Sequence, residues 1–500
     1  MNNVMMALAI ASVMLCIGML CRAKIKFLQK MLVPVSVIAG VLGFIFMNTA
    51  GIKLNIGTNV TAFSEIVNVM FALSFISIGL TGGKKRKEKE KTGKQDKKEK
   101  GQKSSGMVRG AIGMGLIWCL LYALTAAVGV LIIQFVGKGV GMKPIYGILI
   151  PFAFCQGPGQ ASTYGRIFEQ TYGFQNAEMV ALTFAIVGFL AAFLFGVPLA
   201  KYGLKKGLAK NNYKISKSVE KGYYTPQEQR ESLGKVTTHS ANIETVTIHF
   251  ALMGVCYLIA LGLAKIVTFV PVLGPTFGAM LFFWGMIAAY IVKAVLRKMK
   301  VEYLLNDALQ GRVTGWLSDY LVVCAFMAIQ VGVIGTWLIP ILIECAICAV
   351  ITFLVCVYFG SRLGGDHDFE RVLGLYGTST GTTPSGVALV RMVDPRLATS
   401  TTNELGMMNL AMMFSTPTML LITLAGIGTV SLPIAVGGIL ATVILYMVLL
   451  KVFGVWRKKP SFSLRKGILD TSEDGEEKKS VAFVQGFLRE ETYDSAGLVK

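Results

Sequence analysis

Charged residues are scarce in this sequence of 500 residues. Only 15% of them are Asp, Glu, Lys or Arg, whereas 54% are apolar, and a soluble globular protein carries about 25% charged residues. This composition excludes an ordinary soluble domain and predicts a polytopic membrane protein.

Catalytic motifs are also missing. The sequence has three histidines, His239, His249 and His367, with no H-E-x-x-H motif and no phosphate-binding G-x-x-x-x-G-K-[ST] motif. No nucleophile is paired with a base in a recognisable motif. We therefore expect neither an enzyme nor an ATP-driven pump, and no cofactor or metal beyond a coupling Na⁺ ion.

Long polar loops contain no cysteine, since all nine cysteines lie inside or beside apolar runs, so the sequence shows no disulfide framework. Cys345 and Cys348 have C-x-x-C spacing, but no histidines or carboxylates cluster around them. Packing inside a membrane helix is therefore favoured over metal binding or redox chemistry.

Long apolar runs dominate what is present. A helix crosses the bilayer core with about 20 residues, and eleven crossings are predicted near 4–21, 31–48, 61–80, 111–136, 177–200, 246–270, 272–295, 319–336, 337–360, 404–427 and 430–450. Two shorter, interrupted apolar pieces remain, near 145–165 and 370–392.

The net charge of +21 is concentrated in short connections between these runs, with 12 Lys and Arg between Lys84 and Arg109. Basic loops face the cytoplasm in membrane proteins, so we expect the amino terminus outside the cell membrane and the carboxyl terminus in the cytoplasm. Solvated loops beside anionic lipid explain this charge better than nucleic-acid binding does.

Both interrupted pieces are rich in glycine and hydroxyl side chains: FCQGPGQASTYG at Phe154–Gly165 and GTSTGTTPSG at Gly377–Gly386. The predicted orientation makes each a re-entrant hairpin, the first entering from outside and the second from inside. Pro198 follows Gly157 by 41 residues and Pro417 follows Gly377 by 40. Each half has five crossings, an odd number, so the second copy must be inverted.

The predicted fold is an all-α polytopic membrane protein with two inverted-topology repeats of about five transmembrane helices, each with a re-entrant Gly-rich hairpin, plus one extra C-terminal helix. The predicted parts are an N-terminal repeat at 1–200 with a Lys-rich cytoplasmic insert at 82–110 and a hairpin at 145–172, a cytoplasmic linker at 201–245, a C-terminal repeat at 246–427 with a hairpin at 370–395, an extra helix at 428–450 and a cytoplasmic tail at 451–500. Paired interruptions in inverted repeats are typical of secondary transporters, whereas ordinary kinks between packed helices are the alternative.

Non-helical backbone at membrane depth needs a polar partner, which a ligand can supply. Carbonyl and hydroxyl oxygens suit Na⁺, and the predicted Na⁺ ligands are Gly157, Gly159, Gly377, Thr378, Thr380 and Gly381. Free N–H groups at helix starts suit a carboxylate, and the predicted substrate-binding residues are Gln160, Ser162, Thr163, Arg166, Thr382, Thr383, Ser385 and Asn409. In particular, Gly157, Gly159 and Ser162 are expected to face Gly377, Gly381 and Thr383.

These residue types also have structural roles, since hydroxyls cap helices and arginines such as Arg166 and Arg391 extend to the membrane surface. Glu344 is the most deeply embedded acid, and an acid inside a membrane is a candidate for function. Glu65 and Asp319 occupy equivalent places in the two halves, where helix capping is the favoured role over ion binding.

The stretch CQGPGQASTYGRIFEQTYGFQNAEMVALTFAIVGFLAAFLFGVPLAKYG resembles the first-hairpin region of the bacterial sodium/glutamate symporters. The matching positions are Tyr164, Arg166, Tyr172, Gly173, Phe174, Asn176, Ala177, Gly196, Pro198, Ala200 and Tyr202. GTSTGTTPSGVALVRM is similar to the second hairpin at Gly377, Gly381, Thr383 and Pro384, and VPVSVIAG at Val33–Gly40 fits as well.

The resemblance implies Na⁺-coupled symport of glutamate or a related small carboxylate by alternating access. The implied partners are this substrate, Na⁺ and membrane lipids, with a homodimer as an open alternative. Gln156, Pro158, Gln160 and Ala161 depart from the family pattern, which leaves the substrate undecided. A proton- or Na⁺-driven exporter or exchanger, and a channel or receptor on the same scaffold, are the alternative functions.

Overall fold

The computed structural model of the chain describes residues 3–53, 61–81, 94–211, 217–224, 226, 232–365, 367–408, 414–465 and 467–469. Its helices and strands, in chain order, are α1 (Asn3–Lys24), α2 (Lys26–Met31), α3 (Val35–Asn48), α4 (Ala50–Lys53), α5 (Thr61–Leu80), α6 (Lys94–Val136), α7 (Ile150–Phe154), α8 (Pro158–Arg166), α9 (Ala177–Lys206), α10 (Lys217–Lys221), α11 (Thr245–Val267), α12 (Gly274–Ala279), α13 (Leu281–Lys298), α14 (Asp307–Met327), α15 (Val331–Ile334), α16 (Leu338–Gly360), α17 (Asp368–Thr380), α18 (Thr383–Val393), α19 (Thr401–Met408), α20 (Thr416–Ile427), α21 (Leu432–Val452), β1 (Phe462–Ser463) and β2 (Gly467–Ile468). Short 3₁₀ helices occupy Lys138–Val140, Pro144–Leu149, Glu302–Leu304 and Gly335–Trp337, and a π turn occupies Ile167–Thr171.

Seven segments in the described part of the chain are long and apolar enough to cross a membrane: Asn3–Lys24, Thr61–Leu80, Gly106–Val136, Ala177–Lys206, Thr245–Val267, Val331–Gly360 and Leu432–Val452. Shorter apolar helices cover Val35–Asn48, Pro144–Phe154 and Thr416–Ile427. The predicted all-α membrane class is therefore confirmed, because almost all regular structure in these residues is helical. The number of crossings, the inverted repeat and the re-entrant course of the hairpins stay predictions.

Some helix boundaries differ from the limits of the apolar runs. The crossing expected at 319–336 is covered only in part by α14, which begins earlier, at Asp307, and already ends at Met327. Asn306 caps this helix, because its side-chain oxygen accepts a hydrogen bond from the Leu309 N–H at 3.0 Å. A polar capping residue outside the apolar run has thus moved the start of the helix.

The residues form two compact units, and the first contains Met1–Glu90, Pro158–Thr183 and Lys217–Gly335. Within it α5 packs against α13 and α14, and α3 packs against α1 and α14. Small residues permit the close approach: a Cβ atom on Gly40 would lie 2.7 Å from the Phe326 ring, and one on Gly79 would lie 2.7 Å from the Ala289 Cβ.

The second unit contains Lys91–Gly157, Phe184–Ser216 and Thr336–Lys500. Here α6 packs against α16, α19, α21 and the 3₁₀ helix Pro144–Leu149, while α17 packs against α18. After α21 the chain returns to the start of α17, where the Ser461 N–H donates to the Ser361 carbonyl at 2.7 Å. The Phe462 ring lies 5.5 Å from the Phe369 ring.

These two units are a division by packing, and α9 contributes residues to both of them. The predicted boundaries at 200, 245, 427 and 450 divide the chain by its repeat instead, and they stay a prediction. Residues 82–93 of the Lys-rich insert and residues 470–500 of the tail lie outside the described residues.

Candidate functional site

Both glycine-rich pieces are places where a helix stops and another begins. In the first, Cys155, Gln156 and Gly157 separate α7 from α8, and Gly157 has a φ of +82°, a conformation that glycine adopts without steric penalty. In the second, Gly381 and Thr382 separate α17 from α18. The predicted interruptions therefore coincide with breaks in the helical backbone.

The two breaks touch each other inside the second unit. A Cβ atom on Gly157 would fall against the Thr382 methyl group and 3.0 Å from the Gly381 carbonyl oxygen. Beside them, the Cys155 thiol donates to the Ser379 carbonyl at 3.9 Å. Three predicted site residues, Gly157, Gly381 and Thr382, are thus brought together, although their binding roles stay predictions.

Hydroxyl groups surround the second break. Thr378, Ser379 and Thr380 are buried, and Thr380 Oγ1 donates to the Tyr376 carbonyl at 2.8 Å. The Thr378 and Ser379 hydroxyl oxygens have no hydrogen-bond partner among the described residues. Because an unpaired buried hydroxyl is unfavourable, these two groups are available to a ligand. Ser385 is also buried, and its Oγ lies 3.4 Å from Thr382 Oγ1.

A second polar cluster lies in the first unit, around Ser162 on α8. The Ser162 hydroxyl donates to Glu178 Oε1, and the Asn68 amide donates to Ser162 Oγ at 2.9 Å and to Glu178 Oε1 at 3.3 Å. Arg166 forms an ion pair with the same carboxylate oxygen at 3.4 Å, and Thr163 Oγ1 donates to the Asn68 side-chain oxygen at 3.4 Å. Predicted substrate-binding residues thus share one charged network.

This network includes Asn68 and Glu178, which the sequence interpretation did not select. Asn68 is an amide in the middle of the apolar run at 61–80, and Glu178 is an acid in the first turn of α9. Polar and acidic residues within membrane segments are candidates for function in general. Applied to every crossing, that signal would have found both residues.

The remaining predicted residues of α8 have different surroundings. Gly159 packs against α5, because a Cβ atom there would collide with the Phe71 ring. Gln160 is only 2% exposed, and its side-chain oxygen has no hydrogen-bond partner within the described segments. Gln160 therefore carries an available acceptor near the start of α8.

Other predicted residues are placed as follows. Gly377 is a packing position, since a Cβ atom on it would lie 2.8 Å from the Gly386 Cα on α18. Thr383 is half-buried, Arg391 is exposed, and Asn409 lies outside the described residues. The expected facing of Gly159 and Ser162 towards Gly377 and Thr383 stays a prediction, because the first pair belongs to one unit and the second pair to the other.

The three candidate acids differ sharply in exposure. Glu65 and Asp319 are exposed, whereas Glu344 is fully buried. Cys345 and Cys348, beside Glu344 on α16, are buried free thiols. Of these three acids, Glu344 alone has its carboxyl away from solvent.

The start of α17, outside the seven crossing-length segments, is held by a buried ion cluster. Arg371 donates to Glu404 at 2.7 and 2.8 Å and to Asp368 at 2.8 Å. Burial alone would raise the pKa of Glu404, but hydrogen bonds from Arg371, His367 and Ser400 outweigh it and lower this pKa from 4.5 to about 2. The helix that leads to the second break is thus anchored at its far end.

Comparison with known proteins agrees with this picture. The family model described as Sodium/glutamate symporter matches residues 110–399, more than half of the chain and a range that contains both breaks. The sodium/glutamate symporter of Escherichia coli (strain K12) is 25% identical over 285 residues, covering 55% of this chain and 67% of the relative. That of Haemophilus influenzae is 24% identical over 405 residues, covering 79% of this chain and 89% of the relative. The chain belongs to the sodium/glutamate symporter family, and it is a membrane transporter and not an enzyme.

Proposed function

We propose that the protein is a Na⁺-coupled symporter that carries glutamate or a related small carboxylate or amino acid inward by alternating access. One observation supports this proposal most directly: Gly157 at the first helix break lies against Gly381 and Thr382 at the second. Two breaks in contact bring backbone that lies outside regular helix together in one place, which is the arrangement that secondary transporters use for ions and substrates.

Around this contact, the proposed Na⁺ ligands are carbonyl and hydroxyl oxygens of the second break. Thr378 and Ser379 contribute buried hydroxyls with no partner in the described part of the chain, and Gly381 contributes a carbonyl without a side chain in the way. The N-terminus of α18 adds free N–H groups that favour an anion. Ser385, buried in its first turn, offers a hydroxyl to the same anion.

The Ser162 network supports an amino acid as the substrate. Glu178 has a carboxylate that matches an ammonium group, and Arg166 has a guanidinium that matches a carboxylate. Both side chains are partly accessible, at 16% and 29% respectively. We propose that these opposite charges exchange their mutual pairing for pairing with a zwitterionic substrate.

The proposed architecture has two inverted repeats with re-entrant hairpins, an external amino terminus and a cytoplasmic carboxyl terminus in the cell membrane. Its basis is the position of the basic connections in the sequence. Reporter fusions after residue 469 test the orientation: a reporter that is active only in the cytoplasm is expected to be active, and activity of a periplasmic reporter there would reverse the proposal. A homodimer is part of the proposal, tested by the mass of the purified protein.

Purified protein in proteoliposomes tests the function. An inward Na⁺ gradient is expected to drive accumulation of labelled glutamate or another small carboxylate above its outside concentration, and dissipation of the gradient with a Na⁺ ionophore is the control. A panel of amino acids and dicarboxylates, scored by Na⁺-dependent thermal stabilisation, identifies the substrate. Uptake that is saturable but indifferent to Na⁺ would refute the coupling, and flux that never exceeds equilibration would indicate a channel.

A further inference from the structure

Glu344 on α16 has a buried carboxyl that the proposed Na⁺ and substrate sites do not use. Its exposure is 0%, and neither Oε1 nor Oε2 has a hydrogen-bond partner among the residues that the structure describes. Thr352, two turns further along the same face, also has a buried hydroxyl without a partner there. Leu342 and Leu354, on other faces of the helix, are 44% and 59% exposed. The acid therefore points into the second unit.

The small space next to this carboxyl exists because Gly129 and Gly147, which border it, have no side chains. A Cβ atom on Gly129 of α6 would fall against Glu344 Oε1 and equally against the carbonyl oxygen of Gly147. The carboxyl oxygen and the carbonyl oxygen thus border one small space that any larger residue at 129 would fill. The Gly147 carbonyl accepts the Ile150 N–H and keeps a second lone pair for another donor.

No described basic side chain lies where it could neutralise a charged Glu344. Arg371 and Glu404 contact Gly110, which is 19 residues, or about 28 Å of helix, from Gly129. Asp368 and Glu370 lie in the first turn of α17, and Val372 of the same helix packs beside Gly360, where an added Cβ atom would lie 2.5 Å from it. Gly360 is about 24 Å along α16 from Glu344. The other titratable groups on the elements around α16 include thiols and phenols: Cys345, Cys348, Tyr122, Tyr146, Cys155 and, on α17, Tyr376. Lys143 and Lys451 are exposed.

A carboxylate that is buried without a partner is strongly unfavourable, so the group must hold a cation. A metal ion requires a shell of several oxygens, whereas the Gly147 carbonyl is the one oxygen that borders the same space among the described contacts of Gly129. A proton requires only one acceptor, and the Gly147 carbonyl borders the same small space. We propose that Glu344 is a proton-binding site whose occupancy is coupled to the transport cycle, in addition to the Na⁺ coupling of the proposed function, on which this coupling rests.

The connection to transport runs through the chain segment that carries Gly147. This segment, Pro144–Leu149 followed by α7, leads directly to Gly157 at the contact between the breaks. With a proton bound, the Glu344 O–H is expected to donate across this space to the Gly147 carbonyl and so to hold the segment in place. Loss of the proton to solution leaves a carboxylate facing a carbonyl oxygen, which repel each other, so the segment moves and water reaches the acid. Only the O–H bond of the carboxyl forms and breaks.

Proteoliposomes loaded with a pH-sensitive dye test this proposal. In the wild-type protein, substrate uptake at a fixed Na⁺ gradient is expected to acidify the lumen and to respond to an imposed pH gradient. Glu344→Gln, which keeps the shape and the neutral form, is expected to abolish the proton flux and the response to pH while Na⁺-driven uptake or exchange continues. Glu65→Gln, which changes an exposed acid, is the matched control and is expected to retain both.

Infrared spectroscopy of the full chain gives a readout that does not depend on transport. The C=O stretch of a protonated carboxyl is expected in the wild-type protein at neutral pH, sensitive to deuteration, and lost in Glu344→Gln. Glu344→Asp, which keeps an acid and shortens it, is expected to shift the pH profile rather than remove it. Proton flux that persists in Glu344→Gln, or a wild-type spectrum without this band, would overturn the proposal. If Na⁺ drives no uptake at all, the proposed function fails, while the infrared band still decides whether Glu344 binds a proton.

Discussion

Replacement of Gly157 by alanine tests the contact between the two helix breaks. The residue has a φ of +82°, where an alanine is disfavoured by about 1–2 kcal/mol. The added methyl group would also collide with the Thr382 methyl and lie 3.0 Å from the Gly381 carbonyl oxygen, and overpacking of this kind costs about 1–3 kcal/mol. We therefore expect Gly157→Ala to lower the free energy of unfolding by about 2–5 kcal/mol and to abolish Na⁺-driven uptake.

Two further variants separate the steric part from the backbone part. Gly428 has a φ of +84° with no atom within 4 Å of an added Cβ, so Gly428→Ala measures the backbone penalty alone, about 1–2 kcal/mol. Thr382→Ser removes the methyl group that the new Cβ would meet and keeps the hydroxyl. Combined with Gly157→Ala, it is expected to restore about 1–2 kcal/mol. Stability is read by thermal unfolding in detergent, and equal losses in Gly157→Ala and Gly428→Ala, or no recovery in the double variant, would refute the contact.

Three other predictions concern separate parts of the molecule. Ser162→Ala removes hydroxyl contacts to Asn68 and Glu178, so the KM for substrate is expected to rise about five- to tenfold, equivalent to about 1 kcal/mol. The control is Thr183→Ala, which should leave the KM unchanged, because among the described bonds the Thr183 hydroxyl contacts only its own helix backbone, at 2.7 Å. The pKa of Glu404 is lowered from 4.5 to about 2, so the stability that its carboxylate contributes to the fold is complete above pH 4.5 and is lost as the pH falls towards 2. Glu404→Gln should therefore lower the free energy of unfolding by on the order of 3 kcal/mol at neutral pH and have no effect in acid. Thermal unfolding measured as a function of pH checks this. Phe462→Ala removes a ring that is 5% exposed and that packs against the Phe369 ring, so it is expected to lower the free energy of unfolding by about 3 kcal/mol. Ile468→Ala, at a position that is 68% exposed, should change this free energy by less than about 0.5 kcal/mol.

Composition and periodicity predicted much of the secondary structure because apolar length is a local property. The run at 61–80 coincides with α5, and that at 430–450 lies within two residues of α21. Glycine and proline marked both breaks for the same local reason, since they stop helices wherever they stand. The capping residue Asn306 lies outside the apolar run, and for that reason the start of α14 was not predicted correctly.

The candidate site was predictable only in part. Gly157 and Gly381 were selected from their glycine-rich surroundings, and the structure brings them together. Asn68 and Glu178 were missed, because their importance comes from distant partners: Asn68 reaches Ser162 across 94 positions of the sequence. A spacing rule along one helix does not contain that information.

By itself, the sequence determined that the chain is a helical membrane protein, that it resembles the sodium/glutamate symporters, and that it has two helix breaks. Hydrophobic length and turn chemistry act within a few residues, so they can be read in order along the chain. Only the tertiary structure decided that Gly157 touches Gly381 and Thr382, that Glu178 has Arg166 as a partner, and that Glu344 has none among the described residues. Those facts depend on which side chains meet when apolar faces are buried against each other, and that is a property of the packed helices as a whole.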